Sequence, residues 1–82
     1  MKIYTYNGKN NVCGQRIRMA RLAKNMTQER LATKMQLKGI PIEHDSISRI
    51  ENGSRFVADY ELKKLSEILD VTMDWLLQDI DE

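Results

Sequence analysis

The stretch Asp45-Ser46-Ile47-Ser48-Arg49-Ile50-Glu51-Asn52-Gly53 sets small polar and charged side chains around two isoleucines. Ile47 and Ile50 are three residues apart, so on a helix they share one face that can pack inward. Ser46, Ser48 and Arg49 then point elsewhere and can meet a ligand. Asp45 or Glu43 stands at the front, where a carboxylate suits the positive end of the helix dipole. Gly53 stops the helix because it enters the left-handed conformation at little cost. A short helix with a small polar outer face fits the major groove of DNA, where hydrogen-bonding side chains read base edges.

Other elements must hold such a reading helix in place. A basic amphipathic run, Arg16-Ile17-Arg18-Met19-Ala20-Arg21-Leu22, predicts a first helix from about Val12 to Lys24. Its inner side would carry Ile17, Ala20, Cys13 and Ala23, and Asn25 would stop it. Thr27 is placed to cap a second helix whose Leu31, Ala32 and Met35 face inward, ending near Lys38-Gly39. Pro41 forbids a continuous helix into the reading segment. A helix over Asp59–Leu69 carries Leu62, Leu65, Ile68 and Leu69 as its apolar stripe. Thr72 then caps a last short helix, Met73 to about Gln78.

In the order and spacing of these pieces the chain resembles the helix-turn-helix family of Cro and phage repressors, the XRE family. The resemblance runs from about Val12 to Leu77. It rests on Gly14-Gln15-Arg16-Ile17-Arg18, Met26-Thr27-Gln28-Glu29, Leu31-Ala32, Ile47-Ser48-Arg49-Ile50-Glu51-Asn52-Gly53 and Val71-Thr72-Met73-Asp74-Trp75-Leu76-Leu77. It implies an all-α, five-helix lambda-repressor-like domain over residues 12–78, with an arm over 1–11 and an acidic tail over 79–82. The chain departs from the family between its second and third helices. Gln36 to Ile42 make the connection about five residues longer than the usual turn, and Leu37, Ile40 and Ile42 are expected to tuck into the core.

The resemblance also implies roles. His44, Asp45, Ser46, Ser48 and Arg49 map onto base-contacting positions. Arg49 suits a bidentate contact to guanine, though a neighbouring acid could pair with it instead; Asp45 could accept from a cytosine amine. Thr27 and Gln28, at a helix start suited to anions, match one backbone clamp. Asn52, Ser54 and Arg55 match a second. Arg21 and Glu51 match an ion pair between the first helix and the reading helix. Trp75, Leu76, Leu77 and Ile80 would form the seam of a homodimer, with Trp75 a core or seam residue rather than a stacking platform for bases.

Charge divides the chain in a compatible way. Residues 1–39 hold nine Lys or Arg against one acid, a net of +8. Residues 40–82 hold four against eleven, a net of −7. A basic half can meet phosphates, although basic and acidic helices can also pair with each other. In residues 1–11, Met1-Lys2-Ile3-Tyr4-Thr5-Tyr6 alternates like a strand and Asn7-Gly8 reads as a turn. An arm, a lone strand pairing with a second copy and a disordered leader all fit that pattern.

Eighty-two residues suffice for one domain with a small core. The sequence contains no nucleophile elbow, no glycine-rich phosphate loop and no His-Glu metal helix, so no enzyme, cofactor or metal is expected. Cys13 is the only cysteine and is expected to be a small buried residue. With no apolar run of about 20 residues and no signal-peptide pattern, a cytoplasmic location is expected. The function expected is a DNA-binding transcriptional regulator, a repressor on an inverted-repeat operator, acting as a homodimer on double-stranded DNA. The alternative is an antitoxin or adaptor whose main partner is a protein, such as a toxin or anti-repressor. Salt-dependent DNA affinity separates the two.

Overall fold

The computed structural model describes residues 5–79, so residues 1–4 and Ile80, expected at a dimer seam, lie outside the described residues. Five helices follow one another: α1 (Gly14–Ala23), α2 (Gln28–Leu37), α3 (His44–Glu51), α4 (Asp59–Leu69) and α5 (Met73–Leu76). Among the described residues there is no strand. The fold is all-α, as the sequence leads one to expect.

Local chemistry accounts for most boundaries. Thr27 accepts a hydrogen bond from the Arg30 amide and starts α2; Thr72 does the same for Trp75 and starts α5. α1 ends where Asn25 takes a left-handed conformation, with φ +54°. α3 ends at Gly53, with φ +87°. α4 opens with half of a capping box: Glu61 accepts from the Ala58 amide, but Ala58 has no side-chain oxygen to reciprocate.

α1 and α2 pack against α3, and α4 packs in turn on α1 and α2. Ile17, Leu31, Met35, Ile47, Ile50, Leu65 and Leu76 are fully buried. Each contributes about 1.5–3 kcal/mol of burial, so a handful of side chains carries the small core. Cys13 is buried there too. Burial pushes its thiol up to about 11, against the opposing backbone hydrogen bond, so it stays protonated and inert near neutrality.

The lengthened connection between α2 and α3 behaves largely as expected. Gly39 turns the chain at φ +86°, the Ile40 amide donates to Met35 O, and Gln36 Nε2 donates to Ile42 O. Ile40 and Ile42 are buried. Leu37 is not: it is 82% exposed. It follows Met35 by two residues, which on a helix puts it on the opposite side from the inward stripe. Ala23 corrects a second expectation. It is exposed, in the last turn of α1, and borders an open groove with Met19, Leu69 and Trp75.

Candidate nucleic-acid interface

α3 carries an apolar side and a polar side, and packing decides which is which. With Ile47 and Ile50 buried, His44, Asp45 and Arg49 are exposed, while Ser46 and Ser48 are half-buried at the edge. The five residues expected to meet bases thus share the accessible part of one eight-residue helix. Asp45 Oδ2 lies 3.3 Å from Arg49 Nη2, one helical turn apart, and both side chains are more than half exposed. This is the acid pairing that competes for Arg49. An exposed pair at this spacing contributes only about 0.3–0.5 kcal/mol, so Arg49 can exchange it for a stronger partner.

Below that surface a buried fork fixes α3 to α1. Arg21 Nε donates to Glu51 Oε2 at 2.6 Å and Nη2 donates to Oε1 at 2.9 Å, while Nη1 donates to Met26 O at 2.8 Å. The side chains are 9% and 3% exposed. The hydrogen bond to Glu51 raises the Arg21 pKa further above its ordinary value, so the guanidinium stays charged. Gln28 Nε2 donates to the same Glu51 Oε1 at 3.2 Å. The side chain at the start of α2 is thereby tied to the end of α3, and the Arg21–Glu51 pair expected from sequence organises both.

Past α3 the backbone folds tightly. Asn52 Oδ1 accepts from the Ser54 amide at 3.0 Å, and the Ser54 and Arg55 amides both donate to Arg49 O. Asn52 and Ser54 remain exposed. Arg55 is more committed than its sequence context suggests. Its guanidinium donates to both carboxylate oxygens of Glu61, at 3.0 and 3.1 Å, and to Phe56 O. It braces the loop, leaving only its remaining donors for an outside partner.

Burial alone would raise the Glu61 carboxyl, but the bond from Arg55, the Ala58 amide and the charge of Arg55 together hold it below its ordinary value of 4.5. A carboxylate with a lowered folded pKa stabilises fully above its unfolded pKa and loses that contribution as pH falls through the folded value. Stability should therefore decline on acidification below about pH 5 and keep falling beneath the ordinary value of 4.5. Glu61→Gln should flatten that acid limb in denaturant titrations at each pH; an unaltered limb would remove Glu61 from the acid response.

Two asparagines before α1, Asn10 and Asn11, fasten it to this surface, and the motifs of the sequence do not include them. Asn11 Oδ1 accepts from the Gly14 amide at 2.8 Å, the pattern of a helix cap. Its Nδ2 donates to Ile50 O at 3.0 Å and Arg55 O at 2.8 Å. Asn10 donates through its amide to Gly53 O and through Nδ2 to Ser54 O. The start of α1 is thus fastened to the end of α3 and the loop beyond. Asn11 three residues before the Gly14 amide was a local capping signal; its partners 39 and 44 residues away left no local trace.

Tyr6 and Lys9 exchange backbone bonds of 2.7 and 3.0 Å across Asn7-Gly8, both with positive φ. The strand-like reading of the leader thus resolves, within the described residues, into a two-residue hairpin turn.

On the outer side of α1, the Arg16 guanidinium stacks 4.8 Å from the centroid of Trp75, and Arg16 Nη2 donates to Asp79 O. Trp75 is half-buried and Leu77 is 48% exposed. Leu76, expected at a seam, has no exposed surface. The 3.6-residue period sends it into the protomer core when Trp75 and Leu77 flank the surface, so it offers nothing to a partner.

The charge division is partly internal. Of the five ion pairs among the described residues, Arg21–Glu51 and Lys38–Glu67 join the basic half to the acidic half, and the other three lie within the acidic half.

Comparison with known proteins matches the profile of a helix-turn-helix family to residues 17–76. Among solved structures, the restriction-modification controller protein C.AhdI from Aeromonas hydrophila is 33% identical, over 77% of this chain and 84% of that one, with a TM-score of 0.65. The master regulator for biofilm formation SinR, solved in complex with DNA, is 31% identical over 80% of this chain and 98% of that one, with a TM-score of 0.68. The DNA-binding domain of BldD is 19% identical, over 90% and 100% of the two chains, with a TM-score of 0.72, a likeness of fold. No curated protein sequence matches the chain.

Proposed function

The chain belongs to the helix-turn-helix family of the Cro and phage-repressor (XRE) type, and on that premise we propose that it represses transcription as a homodimer on an inverted-repeat operator. That it is a DNA-binding transcriptional regulator follows from the family and its relatives. One observation supports the finer reading most: His44, Asp45 and Arg49 stand exposed on a helix whose reverse side is wholly buried and whose end is locked by Arg21–Glu51. A rigid helix with exposed polar tips has the geometry that base readout requires, because discrimination depends on side chains reaching base edges in a fixed register.

In this proposal Arg49 meets a guanine, Asp45 aligns it or accepts from a cytosine amine, and His44, Ser46 and Ser48 complete the readout. Thr27 and Gln28 on one side, and Asn52, Ser54 and Arg55 on the other, hold phosphates. A single small domain covers about half a site, and two copies about one helical turn apart supply the rest. Trp75 and Leu77 lie on the surface available for a seam in cytoplasmic dimers. SinR was solved with DNA, and C.AhdI is a controller protein; both are compatible models for a small regulator.

Selection from a random duplex pool at near-physiological salt tests the proposal. An enriched inverted repeat with half-sites about 10 base pairs apart is the expected result. Recovery of no sequence, with a co-purifying protein, would transfer the function to an adaptor or antitoxin role. On the selected duplex, Arg49→Ala should relax preference at one base pair per half-site, costing about 1–3 kcal/mol against the cognate base. Unchanged preference would take Arg49 out of the readout.

A further inference from the structure

The turn Tyr6-Asn7-Gly8-Lys9 stands beside the loop that follows α3. Asn10 fastens it there through hydrogen bonds to Gly53 O and Ser54 O, of 2.8 and 2.9 Å. Lys9 lies over Gly53, with its Cβ, Cγ and Cδ 2.8–3.3 Å from where a Cβ on that glycine would stand. Its ammonium forms no ion pair with any described residue. The amides of Asn7 and Gly8 at the tip donate to no described group, and Tyr6 is 55% exposed. A cation, two open amides and a phenol therefore sit together on a closed turn next to Asn52 and Ser54.

The geometry points to this turn as an additional DNA-phosphate contact, with Lys9 supplying the charge and the Asn7 and Gly8 amides the hydrogen bonds. It rests on the reading of the chain as an operator binder and extends the contact surface beyond α2 and α3. The physical argument is proximity with restraint. A lysine on a free leader loses much rotamer and chain freedom on meeting a phosphate. Lys9 is carried on a two-residue hairpin already fixed to the loop by two hydrogen bonds, and its methylenes rest on Gly53, so less remains to be ordered. Such a contact adds affinity without sequence preference, because every base pair presents the same phosphate.

The test uses the full chain and the duplex it enriches from a random pool, with affinity measured from 50 to 200 mM salt. Lys9→Gln keeps Cβ, Cγ and Cδ over Gly53 and removes the charge, so circular dichroism should be unaltered. Each phosphate contact contributes about 0.9 to the slope of log affinity against log salt, so a dimer should lose about 1.8. Over that fourfold range the deficit of the variant would shrink about 12-fold as salt rises. Its relative preference among mutated half-sites should stay as in the parent, and Lys9→Arg should restore the slope. A folded Lys9→Gln chain with the parent slope would overturn the assignment of the turn while leaving operator binding standing. A parent chain that enriches no duplex would remove the operator reading, and this one with it.

Discussion

Glu51→Ala should lower the stability of the chain by about 3–5 kcal/mol, because it leaves the Arg21 guanidinium buried without its counter-ion. Arg21 and Glu51 are 9% and 3% exposed in their side chains, so water cannot replace the lost partner without local opening. In a domain of this size each kcal/mol moves the thermal midpoint by about 4–8 °C, so a fall of at least about 12 °C is expected by calorimetry. The pair does not have to be a large net stabiliser for this to hold. Removing one member exposes the desolvation cost of the other, whereas replacing both with apolar residues can restore much of the loss. The double change Arg21→Met with Glu51→Leu should accordingly recover part of the midpoint. It should not recover tight DNA binding, since Gln28 would still lack the Glu51 oxygen that holds it at the start of α2. A single Glu51→Ala chain with a parent-like midpoint would mean that the fork does not carry the α1–α3 junction.

Gly14→Ala should be nearly as damaging, although helix propensity alone favours alanine over glycine by about 1 kcal/mol. A Cβ on Gly14 would stand 2.1 Å from Ile50 O and 3.0 Å from Asn11 Oδ1. The nearer obstacle is backbone, which cannot swing aside like the end of a side chain. Moving that carbonyl also disturbs the hydrogen bonds it accepts from Asn11 Nδ2 and the Gly53 amide. Overpacking costs about 1–3 kcal/mol when neighbours can adjust and more when they cannot. A net loss of about 3 kcal/mol is therefore expected, with a midpoint lowered by roughly 12–24 °C. Operator affinity should fall beyond what the unfolded fraction explains, because the end of α3 must shift. A Gly14→Ala chain as stable as the parent would show that α1 and α3 approach less closely than their backbones require.

Gly14 also marks how much of the site was legible beforehand. It belongs to the Gly14-Gln15-Arg16 pattern, yet nothing in its neighbours reveals that an α3 carbonyl occupies the space of its missing side chain. Thr27, Asn25 and Gly53 were readable because caps and stops act within about four residues. Ile47 and Ile50 were readable because burial of one face imposes a helical period on the sequence. Leu37 goes against expectation because in the sequence it reads as part of the connection, outside that period. Apolar character suggested burial, but its position along α2 put it opposite Met35, and the chain left it in solvent. Leu76 failed differently. Trp75, Leu76 and Leu77 are consecutive and apolar, and only the angle at which α5 docks decides which of them is hidden.

Arg55 and Asn11 show the remaining gap. Arg55 looked like an available cation after the reading helix, whereas Glu61, six residues on, holds both arms of its fork. Asn11 looked like the end of a leader and instead bonds to Ile50 and Arg55.

The sequence by itself determined the number and order of the helices, the caps of α2 and α5, the apolar side of α3 and the family to which the chain belongs. Each of these depends on residues within a turn or two of one another, or on a pattern of spacing along the chain. The tertiary structure decided the attachment of Asn10 and Asn11 to the loop beyond α3, the occupation of Arg55 and the burial of Leu76. Those depend on where distant backbone carbonyls and carboxylates come to rest, and a side-chain hydrogen bond to a remote carbonyl leaves no periodic imprint on the sequence.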